Sequence, residues 1–367
     1  MSDTASSGFS PVDSAHMSLA LQLAERGKYT AHPNPRVGCV IAHGDHVVGR
    51  GWHARAGKPH AEINALEDAG SNAENATAFV SLEPCSHHGK TPPCVDALVA
   101  AGIREVVCAT LDPNPQVAGR GIAALEATGI EVRCGLMEER ARKLNRGFFL
   151  RMTAGRPFVR LKMAASLDGA TAMQDGESQW ITGKEARMDV QRLRAECGAI
   201  MTGIGTVLAD DPSLTVRDSS LTSVQPLRAV VDSQLRMPGS ACMLGLDGET
   251  LIFCVEDSRR ANLEAMGATV YKCAGENGRV DLQQVLATLA TLEVNDVLVE
   301  TGPILAGEML GQNLVDELVI YQAPHIMGSE TRGMFNTPGW TKLMNRSELT
   351  VTDVRQIGND TRITATP

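Results

Sequence analysis

The spacing of apolar residues changes repeatedly along this chain, and each change marks an element. Met17, Leu19, Leu21 and Leu23 predict a helix over 14–26, closed by Gly27. Apolar runs at 36–42 and 46–51, joined at Gly44-Asp45, predict a hairpin. His60 follows Pro59 and opens the periodic stretch Ala61, Ile63, Ala65 and Leu66, which is the signature of a helix N-terminus. A buried strand is predicted at 77–82, a helix at 95–101 after Pro92-Pro93, then strand 105–109, helix 121–127 and strand 130–134. A charged helix over 137–146 closes this half, and 153–157 has the composition of a linker.

The pattern restarts with an apolar strand at 157–164 and an amphipathic helix at 184–196. Strands are predicted at 199–202, 228–232, 251–255 and 269–273, followed by a helix at 282–292, a strand at 296–300 and a helix beginning near Ile304. A strand at 317–322 and a closing pair at 348–354 and 362–365 complete the chain. Strands alternating with helices imply an α/β fold with layered sheets, and the hairpin-like end predicts a mixed second sheet. The expected domains are 1–154 and 155–367.

Length agrees with two domains, since 367 residues exceed one average unit. Hydrophobic content of 43% with only 4% aromatics and 35 glycines describes a core of Ala, Val and Leu with many tight turns. A net charge of −9 argues against a protein that tracks a nucleic-acid backbone. No apolar run reaches the length of a membrane span, and the Met1-to-Ser7 start lacks a basic and then apolar signal pattern. Cys39, Cys108, Cys197 and Cys254 lie in apolar contexts, so a reducing cytoplasm and unpaired core thiols are expected.

The chemistry concentrates in His60-Ala61-Glu62, Pro84-Cys85 and Cys94. One imidazole and two thiols make three zinc ligands, the number that a catalytic site uses while keeping a position for water. Glu62 is left over as a general base, as in nucleobase deaminases, where a non-ligand Glu moves the protons. The spacing departs from the usual deaminase pair of cysteines two residues apart, because eight residues separate Cys85 from Cys94. Two alternatives stand beside this reading. Buried cysteines and a helix-start His would explain the residues singly, and Cys85, His88 and Cys94 would form another donor set, leaving His60 and Glu62 without a role. On the first reading, His87, His88 and Lys90 line the pocket mouth.

Two glycine-rich turns mark the second half: Thr202-Gly203-Ile204-Gly205-Thr206 and the stretch from Glu300 to Gly307. Each leads from a strand toward a helix, where backbone N–H groups and the helix dipole favour a phosphate. Glycine required by turn geometry alone is the competing explanation.

With both halves in view, the chain resembles the bifunctional riboflavin-biosynthesis deaminase/reductase family. The resemblance rests on Asn34-Pro35-Arg36-Val37-Gly38, His60-Ala61-Glu62 and the stretch from Glu83 to Cys94 in the first half. In the second it rests on Lys162 to Gly169, Ser178 to Gly183, Asp210 to Arg217 and Glu300 to Gly307. The long insert between cysteines is a feature of that family. The resemblance implies a cytidine-deaminase-like α/β/α layered domain followed by a dihydrofolate-reductase-like mixed-sheet domain. It implies zinc-dependent deamination of a diamino-pyrimidinone ribosylamino phosphate, then reduction of the ribosyl chain to ribityl with NADPH. Zinc would be held by His60, Cys85 and Cys94, with Glu62 catalytic, and Asn34, Lys90 and Thr91 would contact the substrate. Around NADPH it would put Ala164, Trp180, Thr206, Asp210, Ser233 and the run Gly302, Pro303, Ile304, Leu305, Ala306, Gly307 and Glu308. Around the second substrate it would put Ser178, Arg194, Leu214, Arg217 and Glu300. Lys162 and Asp168, which flank the end of the first strand of this half, are further candidates for positioning the sugar. Arg194 and Arg217 suit a phosphate because guanidinium binds it bidentately, although an ion pair is an equal use for Arg194. The expected partners are phosphorylated aminopyrimidines and further copies of the chain, as a dimer or tetramer, without nucleic acid or membrane. A tRNA adenosine deaminase fused to a nucleotide-binding domain is the rival from another class, and the acidic charge weighs against it.

Overall fold

The computed structural model describes residues 8–86, 92–115, 117–275 and 278–367. It divides between Gly155 and Arg156 into two units.

In the first unit, helix α1 (Pro11–Glu25) precedes strands β1 (Gly38–His43) and β2 (His46–Trp52), and α2 (Ala61–Ala69) leads to β3 (Thr77–Val80). Then come α3 (Cys94–Ala100), β4 (Glu105–Cys108), α4 (Arg120–Ala127), β5 (Glu131–Cys134), α5 (Glu138–Leu144) and α6 (Arg146–Ala154). The sheet order is β2-β1-β3-β4-β5. Strand β1 is antiparallel to both neighbours, and β3, β4 and β5 are parallel. Alternation along β1 sorts its side chains between two layers. Cys39 and Ile41 pack with Ala61, Ala65 and Leu98, whereas Val40 and Ala42 pack with Met17, Ala20 and Leu21. The α2 backbone can close on β2 because Gly51 has no side chain; a Cβ there would lie 2.2 Å from the Ala61 carbonyl oxygen. That contact seats the first turn of α2, which carries the candidate metal chemistry.

Two boundaries differ from the sequence expectation for identifiable reasons. Helix α1 begins three residues before Ser14 because Ser10 accepts from the Asp13 N–H at 3.1 Å and donates its own N–H to the Asp13 carboxylate at 3.0 Å. The single helix expected over 137–146 is two helices. Asn145 interrupts it by accepting from the Arg36 N–H at 2.7 Å and donating to the Arg36 carbonyl at 2.9 Å. Residues 153 and 154, expected in a linker, are the last of α6.

The second unit runs β6 (Phe158–Ser166), β7 (Ala170–Met173), α7 (Lys184–Glu196), β8 (Ala199–Gly203), α8 (Ile204–Asp210), β9 (Leu227–Val231) and β10 (Thr250–Cys254). It continues with α9 (Arg260–Glu264), β11 (Ala268–Lys272), α10 (Leu282–Thr291), β12 (Asp296–Glu300), α11 (Pro303–Gly311) and β13 (Glu317–Ala323). Strands β14 (Thr331–Gly333), β15 (Thr350–Ile357) and β16 (Asp360–Thr366) end it. The large sheet has the order β11-β10-β9-β8-β12-β6-β13-β16-β15, with β16 antiparallel to both of its neighbours and the rest parallel. Sequence patterning missed the β7–β14 pair. Its strands are short and lie far apart in the chain, as Thr331 opposite Met173 shows. One face of the sheet packs Val159, Leu161 and Val299 against Leu286 of α10 and Met309 of α11. Ile200, Val230 and Ile252 fill the other face with Val207 of α8. All nine cysteines are unpaired, Cys39, Cys108, Cys197 and Cys254 among the buried ones.

Candidate metal centre and reductase cleft

Backbone geometry brings three donors from separate elements together in the first unit. His60 is the N-cap of α2, Cys85 lies in the loop after β3, and Cys94 opens α3. Their ligand atoms all lie within 4.8 Å of one another. His60 Nδ1 stands 3.6 Å from Cys85 Sγ and 3.3 Å from Cys94 Sγ, so it is the ring nitrogen that faces both thiols. The Cys94 N–H points at Cys85 Sγ from 3.4 Å. One imidazole and two soft sulfurs in this grouping fit zinc, with fewer protein ligands than a closed structural site uses. The Cys94 thiol, opposed by burial and helped by His60, pulls Cys85 down to about 4, and the same contact pushes Cys94 up. Zinc binding would release the proton the pair holds, because thiolate is the ligand form.

Glu62 is only 3% exposed in the first turn of α2. Burial pushes its carboxyl up to about 7, and the charge of Cys85 adds to the effect. A carboxylate near neutrality can both accept and return a proton. Beside it, His53 meets His60 edge to face with ring centroids 5.3 Å apart. His53 Nδ1 lies 3.2 Å from the Pro59 carbonyl, which can only accept, so Nδ1 carries the proton. Burial holds His53 below its usual range and therefore neutral, so Nε2 accepts from Asn34 Nδ2 at 3.0 Å. The Asn34 carbonyl oxygen is thereby left as an acceptor. Lys90 and Thr91, expected to contact substrate, and His87 and His88 lie outside the described residues.

Sequence reasoning passed over Glu83. Its buried carboxylate accepts from the N–H groups of Asp112 (3.1 Å), Gly119 (3.0 Å), Gly121 (2.9 Å) and Ile122 (3.3 Å). Two residues before Cys85, it ties the ligand loop to the start of α4. The Glu-Pro-Cys run was the available signal, but the partners lie more than twenty-five residues away and no local pattern marks them. Glu83→Ala should therefore speed zinc loss to a chelator about 10–100-fold, the usual cost of removing support behind a metal ligand. Unchanged release, measured beside a wild-type melting curve, would reject that role.

In the second unit a cleft of about 2130 Å³ opens where the carboxyl ends of β6, β8, β9 and β12 meet the following loops. It is lined by Lys162, Ala164, Ser178, Trp180, Arg194 and Thr206, and also by Asp210, Leu214, Arg217, Ser233 and Glu300. Both glycine turns reach it, since Gly203 caps α8 and Gly302 caps α11. Of the 302–308 run, Gly302, Pro303, Ile304, Leu305 and Glu308 line the cleft. Ala306 and Gly307 do not, because one helix face alone can point there. Ala306 is buried in the core, and a Cβ on Gly307 would lie 1.9 Å from the Asn336 carbonyl oxygen. Gly307 thus serves packing, not approach to a ligand. Asp168 also stands outside the lining; its exposed carboxylate accepts from Ser166 Oγ (2.5 Å) and the Gly328 N–H (2.9 Å), fastening a loop.

Arg194 makes a bidentate pair with Glu300, at 2.6 and 3.1 Å, and donates to the Thr215 carbonyl at 2.9 Å. Of its two anticipated uses, the ion pair is the one formed. Burial would raise Glu300, but Arg194 and Lys162 overcome it and hold the carboxyl low. Trp180 is 66% exposed, with the Arg187 guanidinium 4.6 Å from its ring centroid.

Residues 157–363 match the RibD C-terminal domain, and residues 10–110 match the cytidine and deoxycytidylate deaminase zinc-binding region. The riboflavin biosynthesis protein RibD of Escherichia coli (strain K12) is 47% identical over 359 residues, covering 95% of this chain and 97% of that protein. The chain belongs to the RibD family. The RibD relative from Haemophilus influenzae is 42% identical over 371 residues, covering 98% of each chain. The structure of Acinetobacter baumannii RibD (form 2) superposes with a TM-score of 0.90 at 42% identity, over 97% of this chain and 99% of that one. As a RibD-family member the chain is a bifunctional deaminase and reductase of riboflavin biosynthesis, using zinc and NADPH. Its first half is cytidine-deaminase-like and its second carries the RibD reductase fold, which is dihydrofolate-reductase-like. The tRNA deaminase alternative is not favoured. No helix among the described residues is long and apolar enough to cross a membrane.

Proposed function

We propose that residues 1–154 remove ammonia from 2,5-diamino-6-ribosylamino-pyrimidinone 5′-phosphate and that residues 155–367 reduce the deaminated product's ribosyl chain to ribityl. The observation that carries the first assignment is the convergence of His60, Cys85 and Cys94 beside the buried Glu62. These three donors would hold zinc, which would act as a Lewis acid toward water. Glu62 takes the proton from the attacking water and delivers it to the departing amino group, so that one water is consumed and one ammonia leaves. Asn34 accepts from a substrate N–H, in the orientation that neutral His53 imposes. Lys90 and Thr91 are assigned to the ribose phosphate.

In the reductase the hydride belongs to NADPH, and the protein orients it. Gly302, at the N-terminus of α11, faces the pyrophosphate, while Ala164, Trp180, Thr206, Asp210 and Ser233 line the rest of the cofactor's path. Ser178, Lys162, Leu214, Arg217 and Glu300 surround the sugar phosphate, and Arg194 acts by holding Glu300 in place. A Cβ at Gly302 meets nothing within 4 Å and the residue has φ −78°, so Gly302→Val can fold while its side chain enters the cleft. It should raise the NADPH dissociation constant at least about tenfold with the melting curve of the free protein unchanged and ammonia release intact. Equal stabilisation of variant and wild type by NADPH would reduce this loop to a strand–helix turn.

The chain is further proposed to act in the cytoplasm as a homodimer or homotetramer. Edge strand β15 supports this, with Val351 and Val354 58% and 61% exposed. The whole reading is tested by separating the steps. Ammonia should be released from the diamino substrate without NADPH, and NADPH should be oxidised only when deaminated product is present. Oxidation of NADPH by the diamino substrate in a zinc-free preparation would reverse the proposed order.

A further inference from the structure

Leu214 and Arg217, both assigned to the sugar phosphate, lie on the segment that leaves α8 and reaches β9 only at Leu227. Among the described residues, 212–217 make no backbone–backbone hydrogen bond. Side chains from elsewhere hold three consecutive residues of this segment instead. Arg194 of α7 donates to the Thr215 carbonyl at 2.9 Å. The Val216 N–H donates to Gln225 Oε1 at 2.8 Å, and Gln225 Nε2 donates to the Val216 carbonyl at 2.9 Å. The Arg217 N–H donates to the side-chain oxygen of Gln191, also on α7, at 2.7 Å.

The Gln225 carboxamide therefore meets Val216 as the peptide of a neighbouring strand would, offering it one donor and one acceptor. An N–H only donates and a carbonyl only accepts, so the amide can sit in one orientation alone. Val216 is 4% exposed, which leaves its N–H and C=O little water to turn to if Gln225 is lost. Leu214 and Val216 are buried and Arg217 is exposed, so fixing the Val216 peptide fixes the direction in which Arg217 leaves the chain. The Arg217 guanidinium lines the cleft and makes no hydrogen bond or ion pair among the described residues. Burial opposes ionisation of Glu300, but Arg194, Lys162 and then Arg217 hold its carboxyl low, which puts Arg217 at the substrate end. Gln225 itself stands behind the cleft, outside its lining.

We propose that Gln225 is a positioning residue of the reductase, holding the Val216 peptide so that Arg217 presents its guanidinium to the sugar phosphate. The inference rests on the reading that Arg217 meets the substrate. A guanidinium gains most from a phosphate when its planar fork is aimed before the ligand arrives, because less freedom is then lost on binding.

Reduction of the deaminated substrate by the full chain at saturating NADPH tests this. Gln225→Ala should raise KM for that substrate at least about tenfold, the scale of a lost charge-assisted contact, with kcat nearly unchanged. It should leave the NADPH dissociation constant, read by fluorescence titration, and ammonia release as they are in wild type. Gln225→Met keeps the length and packing of the side chain without either hydrogen bond, and should do the same even if the alanine variant folds poorly. In an Arg217→Ala background either substitution should add less than about twofold, because residues that act through one another do not add. Multiplicative effects of the two substitutions, or a matching rise in the NADPH dissociation constant, would make Gln225 a support of the domain at large and overturn the assignment. So would an unchanged KM in both Gln225 variants while Arg217→Ala raises it. If Arg217→Ala itself leaves KM unchanged, the reading of Arg217 as a substrate residue fails, and this assignment falls with it.

Discussion

Glu62→Gln is expected to lower the rate of ammonia release by about 10²–10⁴-fold or more while zinc content and melting behaviour stay those of wild type. The amide keeps the shape of the side chain in a pocket where it is 3% exposed, so packing is preserved. It loses the ability to take a proton from water and hand it to the leaving amine. Glu62 sits two residues beyond His60 on the first turn of α2, where its carboxyl interacts with Cys85, His60 and Cys94. Ammonia release in single turnover, with zinc measured on the same sample, checks the role. Activity within a few-fold of wild type at full zinc occupancy would assign the proton transfer elsewhere.

The second large effect is expected from Cys94→Ser, and equally from Cys85→Ser. A hydroxyl is not deprotonated near neutral pH and is a poor zinc ligand, so zinc should fall far below one per chain and deamination should be lost. NADPH oxidation with deaminated substrate should persist. The reason is structural: the core around Ile41, Ala65 and Leu98 and the core around Leu161, Val299 and Met309 are built from different halves of the chain. Cys94 is fully buried, so a melting curve of the variant is needed beside the assay. Full zinc in both variants would move the ligand set toward His88. Simultaneous loss of both activities would show that the halves are not energetically independent.

Much of the deaminase centre was legible because its parts are local. His60 and Glu62 lie within one helix start, where capping and periodicity leave a readable trace, and Cys94 opens the helix announced by Pro92-Pro93. The reductase cleft was less so. Its lining comes from strand ends and loops between Lys162 and Asn336, and no spacing rule connects them. The run from Gly302 to Glu308 shows the limit well. As a string it has seven equivalent candidates, but helical geometry turns Ala306 toward the core and brings Gly307 against Asn336, leaving five on the cleft.

By itself the sequence determined the two-part α/β organisation, the alternation of strands and helices, and the candidate residues for the zinc donors and the general base. All of these depend on chemistry or periodicity within a few residues. Only the tertiary structure decided what long-range contacts decide. Asn145 splits a helix because Arg36 lies beside it, and Glu83 finds four N–H groups on the loop before α4 and in its first turn. Arg194 is held by Glu300, while the Arg236 guanidinium makes no hydrogen bond or ion pair among the described residues. An isolated arginine in a sequence carries a charge but no partner, and whether that charge is neutralised or available to a ligand is fixed by which residues the fold brings within hydrogen-bonding distance.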